Sequence, residues 1–138
     1  MKVRCLSRSP KALPKEIRLE RIWGKDVTDR SFPLIVGKEY VVHGVTITLG
    51  HVWYYICDEK FVYYPVWNPS SLFEISDSSL PDFWRIGVHN SRGREDVDFI
   101  LSFPEWVGDP FFYYKLTERS EAEVKIFNHY RALIEDNG

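Results

Sequence analysis

The residues of this chain that could do chemistry are four histidines, two cysteines and one closely spaced pair of aspartates. Cys57 and His51 could supply a nucleophile and a general base, but Cys57 sits in an aromatic run without the basic surroundings that would lower its pKa. No glycine-rich phosphate loop and no Gly-x-Ser-x-Gly elbow occurs. The four histidines are His43, His51, His89 and His129. No two of them have the i, i+4 spacing that places two metal ligands on one helix face. We therefore expect no catalytic residue, no metal site, no cofactor and no enzymatic activity.

The aspartate pair, Asp96 and Asp98, lies in a run that alternates polar and apolar residues. A period of two places both carboxylates on one face of a strand, as an acid pair, a metal pair or, more commonly, a solvated face. Charge is unevenly distributed, since residues 1–68 hold eleven Lys or Arg against seven Asp or Glu, while residues 69–138 hold seven against thirteen. We expect Glu95, Asp96 and Asp98 to attract a basic partner.

Aromatic side chains are the second candidate binding feature. They could stack nucleic-acid bases, but single-strand binders combine stacking with a basic groove, and Lys60 is the only Lys or Arg between Glu39 and Trp84. We therefore expect no nucleic-acid partner. Tyrosine and tryptophan are also enriched in protein interfaces, so Trp53 and Tyr55 are predicted to bind a protein unless the carboxy-terminal segment covers them.

The elements that position these residues are mostly strands. Residues 40–49 alternate as one long strand, Gly50 marks a turn, and residues 52–57 and 61–67 follow as further strands separated by Asp58-Glu59-Lys60. Pro65 predicts a sheet edge or a break. Shorter strands are expected at residues 2–6, 72–75, 83–88 and 96–103, residues 16–23 form a strand or a helical turn, and residues 90–95 form a flexible loop.

A helix is expected to end the chain. Thr117 or Ser120 can serve as its N-cap, and Glu123 follows Ser120 at the spacing of a capping box. One turn of helix is predicted between the prolines of residues 104–110. The helix carries one apolar stripe that should be buried together with Trp84, consisting of Ile126, Phe127, Tyr130, Leu133 and Ile134.

Length and composition limit the possible classes. At 138 residues the chain is expected to form one domain, with residues 1–78 as its β part and 79–138 as an extension. It has no apolar run long enough to span a membrane and no signal peptide, so we expect a cytoplasmic protein. Cys5 and Cys57 are then expected to be free, buried thiols, although they could pair if their strands are neighbours.

Three short motifs carry a resemblance to a known fold. They are Gly37-Lys38-x-Tyr40 opening a strand, Asp58-Glu59 after an aromatic strand, and Leu72-Phe73-Glu74-Ile75 closing the run. Residues 1–78 resemble small bacterial barrels of the Src-homology-3 type. The segment with Asp109-Pro110-Phe111-Phe112 and the last helix is similar in outline to small bacterial immunity proteins, which neutralise toxins of contact-dependent inhibition or other polymorphic toxin systems.

The sequence therefore predicts a β-rich α+β protein, in which an antiparallel meander curls into a small Src-homology-3-like barrel with a packed carboxy-terminal helix. The resemblance implies an immunity protein, monomeric or homodimeric, that occludes the active site or surface of a toxin, possible partners being basic nucleases. The predicted partner-binding residues are Glu95, Asp96, Asp98, Trp53 and Tyr55. A non-catalytic barrel module of phage or housekeeping origin is the alternative, and a small-molecule enzyme is the third possibility.

Overall fold

The computed structural model describes residues 1–14, 31–48, 50–89 and 98–136. The strands in these ranges are β1 (Lys2–Cys5), β2 (Glu39–Val41), β3 (Gly44–Thr48), β4 (His51–Ile56), β5 (Val66–Pro69), β6 (Phe73–Asp77), β7 (Arg85–His89) and β8 (Asp98–Ser102). The α-helices are α1 (Pro104–Val107), α2 (Phe112–Thr117) and α3 (Glu121–Asp136), and short 3-10 turns cover Pro10–Ala12 and Ser70–Leu72. None of the described helices has the length and apolar character that a membrane span needs.

The strands form two antiparallel sheets. The three-stranded sheet has the order β2-β1-β6, and the five-stranded sheet has the order β5-β4-β3-β8-β7. A tight turn joins β3 to β4, with Thr48 opposite His51 and Gly50 at a φ of 76°. Because that left-handed conformation favours glycine, the turn predicted at Gly50 is confirmed.

The stretch predicted as one long strand, residues 40–49, is instead divided between the two sheets. β2 pairs with β1, whereas β3 pairs with β4 and β8. The division falls at two buried residues: the Val42 N–H donates to the Met1 carbonyl at 3.1 Å, and the His43 N–H donates to the Tyr55 carbonyl at 2.8 Å. Apolar residues continue through this point, so the alternation in the sequence could not reveal the crossing.

β4 lies between two cores, which explains the aromatic residues on both of its faces. Tyr54 and Ile56 join the core between the two sheets, where they meet Val3 and Leu72. Tyr55 points to the other face and packs against a second core formed with the helical segment. The layers are therefore three-stranded sheet, five-stranded sheet and helices. The buried members of the second core are Ile100, Phe103, Trp106, Phe112, Leu116 and Phe127.

The predicted β-rich α+β class, with a packed carboxy-terminal helix, is confirmed. The two sheets are not closed into a barrel within the described ranges, and β6 pairs with β1 rather than continuing a meander from β5. The third predicted strand, residues 61–67, is shorter and later than expected. It begins after Pro65 and forms a sheet edge, so both effects predicted for that proline are observed. The predictions for residues 16–23 and 90–95 lie outside the described residues.

The carboxy-terminal helix docks by most of its predicted stripe, but Leu133 is exposed. α3 begins at Glu121, directly after Ser120, and buries Phe127 and Ile134. Tyr130 is half-buried and donates a hydrogen bond to the Glu105 carboxylate at 2.7 Å, which ties α3 to α1. Trp84 is buried on the opposite side of the five-stranded sheet, in the core between the sheets. The helix covers the face that carries the cleft described next.

Candidate functional site

A cleft of about 340 Å³ lies between the five-stranded sheet and the segment that contains α1 and α2. Its floor is formed by side chains of β3, β4, β7 and β8. His89 of β7 stands directly opposite Asp98 of β8, and Thr46 of β3 stands opposite Ile100 of β8. Because opposed residues of antiparallel strands point to the same face, the sheet brings these groups together from distant parts of the chain. Tyr55 of β4 completes the floor.

The wall of the cleft is aromatic. Trp106 of α1 and Tyr113 of α2 stack with ring centroids 5.6 Å apart and an interplanar angle of 15°. Tyr55 meets Trp106 at 4.7 Å and Tyr113 at 5.0 Å, so the three rings hold one another in place. Tyr114 and Thr117 of α2 line the mouth, where the Tyr114 side chain is 65% exposed.

Two glycines allow α1 to lie this close to the sheet. A Cβ atom at Gly44 would stand 3.3 Å from the Trp106 ring, and one at Gly87 would stand only 2.5 Å from Cγ1 of Val107. Any larger residue at Gly87 would therefore push α1 outward, and Trp106 with it. His89 adds a polar tie, because its Nε2 lies 2.8 Å from the Val107 carbonyl oxygen.

One carboxylate lines the cleft. Asp98 is a lining residue, and no lysine or arginine occurs among the described residues that line the cleft. Lys115 of α2 lies nearby but pairs with Asp109, at 3.0 Å between Nζ and Oδ2. A hydrogen bond from the Phe111 N–H, followed by the bond from Lys115, lowers the pKa of Asp109, so this carboxylate is ionised at neutral pH.

Two of the predicted binding residues meet in this cleft. Tyr55 and Asp98 both line it, although they were predicted from separate features of the sequence. Trp53 does not reach it: the ring is fully buried against Trp67, with 4.5 Å between ring centroids, and its Nε1 donates to the Thr48 carbonyl at 3.1 Å. A buried ring offers no surface to a partner, so we do not retain Trp53 in the candidate site.

The acidic residues Glu95 and Asp96 lie outside the described residues. Their predicted role in binding stays a prediction that depends only on their nearness to Asp98 in sequence.

Several site residues were not predicted from the sequence. Trp106, Tyr113 and Tyr114 reach the cleft through contacts between segments far apart in the chain, which no local pattern reveals. The aromatic run 111–114 between Pro110 and a polar helix was the one available signal, since part of such a run must face outward. No feature of the sequence around His89, at the end of a strand, marked it as a site residue.

The nucleophile and base considered from the sequence do not form a pair. His51 opens β4 and Cys57 follows its end, so an extended chain holds them about 20 Å apart. Burial raises the pKa of Cys57 to about 11, which keeps the thiol protonated at neutral pH. Cys5 and Cys57 are both free. Within the described residues, no group of three or more His, Cys, Asp or Glu side chains could hold a metal ion.

Comparison with known protein families, with curated proteins and with solved structures found no match to this chain.

Proposed function

We propose that this chain is a cytosolic protein-binding protein that blocks a surface of a basic partner, in the manner of an immunity protein that neutralises a toxin. The observation that carries the proposal is the cleft, which combines a rigid aromatic wall with the Asp98 carboxylate and contains no described cation. The outline resemblance of the carboxy-terminal segment to immunity proteins supports a toxin as the partner. Basic nucleases are suitable candidates, because they carry positive charge to bind nucleic acid.

The surroundings of the cleft support binding to a protein. Tyr114 and Phe111 lie three residues apart at the start of α2, and both are more than half exposed. Exposed aromatic residues beside a cleft match the composition of interface hot spots, where a partner side chain fills the cleft and the aromatic rim excludes water. Inhibition would then be steric, because the bound chain covers the partner's own site.

Electrostatic steering gives the proposal a kinetic signature. Reversing the charge with Asp98→Lys should slow association more than it speeds dissociation, and the defect should shrink at high salt. Removing the rim ring with Tyr114→Ala should instead speed dissociation, because the contact forms only in the docked complex. The two variants therefore separate attraction at a distance from contact at the interface.

A second candidate function, catalysis on a small molecule, is favoured by one observation. His89 and Asp98 oppose each other in the floor of a concave site, a placement that general acid–base chemistry can use. Hydrolysis of simple ester or phosphoester substrates that is abolished by His89→Gln would support it. The absence of such hydrolysis by the purified chain would leave the binding function as the sole proposal.

The binding function is tested by affinity capture from cells of the organism that encodes the chain. Immobilised wild-type protein should retain one stoichiometric partner, and Asp98→Lys and Tyr114→Ala should each retain at least tenfold less. Glu74→Lys is the matched control, since Glu74 is an exposed carboxylate on the three-stranded sheet, away from the cleft. Equal retention by all four proteins, or no retained partner, would contradict the proposal.

The immunity role has a separate readout. Expression of the captured partner in a heterologous bacterium should arrest growth, wild-type chain should restore it, and Asp98→Lys should not. A partner that is harmless when expressed alone would remove the toxin part of the proposal.

A further inference from the structure

An exposed apolar patch lies on the face of the five-stranded sheet that is turned away from the cleft. Val88 of β7 stands opposite Phe99 of β8, and Phe99 stands opposite Ile47 of β3. Ile86 lies two residues before Val88 on β7, so it points to the same face. The exposed fractions of these side chains range from 47% for Ile47 to 70% for Ile86. We call Ile47, Ile86, Val88 and Phe99 the sheet patch.

The sheet patch lies where the five-stranded sheet extends beyond the three-stranded sheet. Val45 and Leu101 are the next residues along the same face of β3 and β8, and both pack against the core between the two sheets. The patch itself extends to β7, which is the outermost described strand at that edge of the sheet. The layer that covers the rest of this face therefore ends before the patch.

The size and chemistry of the sheet patch are those of an interaction surface. Its four side chains together expose roughly 400 Å² of apolar surface, and a patch of that size on a single chain is often functional. None of the four carries a charge or a hydrogen-bonding group. A charged or polar surface placed over the patch would lose its hydration without gaining a partner, so the occupant must itself be apolar.

A second copy of the chain meets this requirement, because it carries the same patch. A two-fold interface brings the two patches together, and roughly 400 Å² from each chain gives about 800 Å² from these side chains alone. Half-buried neighbours such as Val52 and Leu101 would bring the total close to the roughly 1,000 Å² of a specific interface. Interfaces between identical subunits are also more apolar than those of transient complexes, which favours a second copy over a transient partner.

We propose that the sheet patch is a self-association surface, on which two copies of the chain pack face to face across a two-fold axis. Each five-stranded sheet would give the other the covering layer that its own three-stranded sheet does not extend far enough to supply. The cleft lies on the opposite face of the sheet. The inference therefore goes beyond the proposed function and does not depend on it.

The test measures the mass of the full chain by analytical ultracentrifugation over a concentration series. The wild type should change from one chain to two as the concentration rises through the micromolar range. Val88→Lys should raise the dissociation constant of the dimer at least tenfold, because it places a charge in an apolar interface. Ile75→Lys is the matched control: Ile75 is a similarly exposed strand residue on the three-stranded sheet, and its substitution should leave the dissociation constant unchanged.

Methyl signals of the isotope-labelled wild type locate the interface without any substitution. When the concentration is raised, the methyl shifts of Ile47, Ile86 and Val88 should change, whereas those of Ile75 and Val62, which are exposed elsewhere, should not. This measurement keeps the proposal testable if Val88→Lys does not fold.

Three results would overturn the proposal. The first is a chain that stays monomeric at every concentration, which would mean that another segment or another protein occupies the sheet patch. The second is a dimer that Val88→Lys weakens no more than Ile75→Lys does. The third is a set of concentration-dependent shifts confined to other surfaces, such as the exposed Tyr114 at the mouth of the cleft.

Discussion

Replacing His43 with glutamine should make the stability of the protein less sensitive to acid. His43 is buried between the five-stranded sheet and α3, with its ring 5.1 Å from the ring of Phe127. Burial, and then the positive charges of Arg131 and the amino terminus, lower its pKa from 6.5 to about 3. The folded protein therefore keeps this imidazole neutral at pH values where the unfolded chain protonates it.

The sign and size of the effect follow from proton linkage. Above the unfolded pKa of 6.5 both states hold a neutral His43, so the residue contributes no pH dependence. Between 6.5 and about 3 the unfolded state binds more protons, and the free energy of unfolding falls as the pH falls. At about 1.4 kcal/mol per pKa unit, the loss is about 2 kcal/mol between pH 7 and pH 5 and about 4 kcal/mol by pH 3.

The assay is urea denaturation followed by tryptophan fluorescence at pH 7, 6 and 5. Between pH 7 and pH 5, the free energy of unfolding should fall by about 2 kcal/mol more for the wild type than for His43→Gln. Hydrogen bonds lower the pKa of other carboxylates, such as Glu59 and Asp109, and protonating these groups in acid lowers the free energy of unfolding of both proteins. Their contribution is the same in both proteins and cancels in the difference. His129→Gln, at an exposed position on the same helix, should keep the wild-type slope. Identical slopes for wild type and His43→Gln would refute the assignment of a buried, neutral His43.

Three further predictions test the packing of the two cores. Gly87→Ala should lower the free energy of unfolding by about 1–3 kcal/mol through overpacking, because the new Cβ would stand 2.5 Å from Cγ1 of Val107. Adding Val107→Ala in a double variant should recover part of that loss. Phe127→Ala should cost about 3–5 kcal/mol in urea denaturation, whereas Leu133→Ala at a partly exposed position of α3 should cost less than half as much. Tyr40→Phe should cost about 1–3 kcal/mol, because its hydroxyl donates to a carboxylate and accepts from a backbone N–H. A stable Gly87→Ala protein would show that α1 is seated differently.

Local signals in the sequence were sufficient for the elements that depend on them. Gly50 supplies a positive φ, Pro65 lacks an N–H, and the stripe of α3 has the helical period, so the turn, the strand break and the helix could all be predicted. The point at which the chain passes from one sheet to the other, at Val42 and His43, could not be predicted. Apolar residues run through it, and the choice of partner strand depends on ladders formed with residues far away in the chain.

The same distinction between local and tertiary signals applies to the candidate site. Tyr55 and Asp98 could be chosen as binding residues from their chemistry and their strand context. Trp53 is also aromatic and lies on the same face as Tyr55, but it is covered by Trp67 of β5, while Tyr55 borders the space beneath α1. Which of two similar residues is exposed depends on tertiary packing that the sequence pattern does not contain.

The central claim, that the cleft is the surface by which this chain holds a protein partner, is tested most directly by calorimetric titration of the captured partner. Wild-type chain and Glu74→Lys should bind with the same affinity. Asp98→Lys should bind at least tenfold more weakly at low salt, a loss of about 1.4 kcal/mol or more, and this difference should narrow as salt is raised. Equal affinities for the wild type and Asp98→Lys at low salt would contradict the claim.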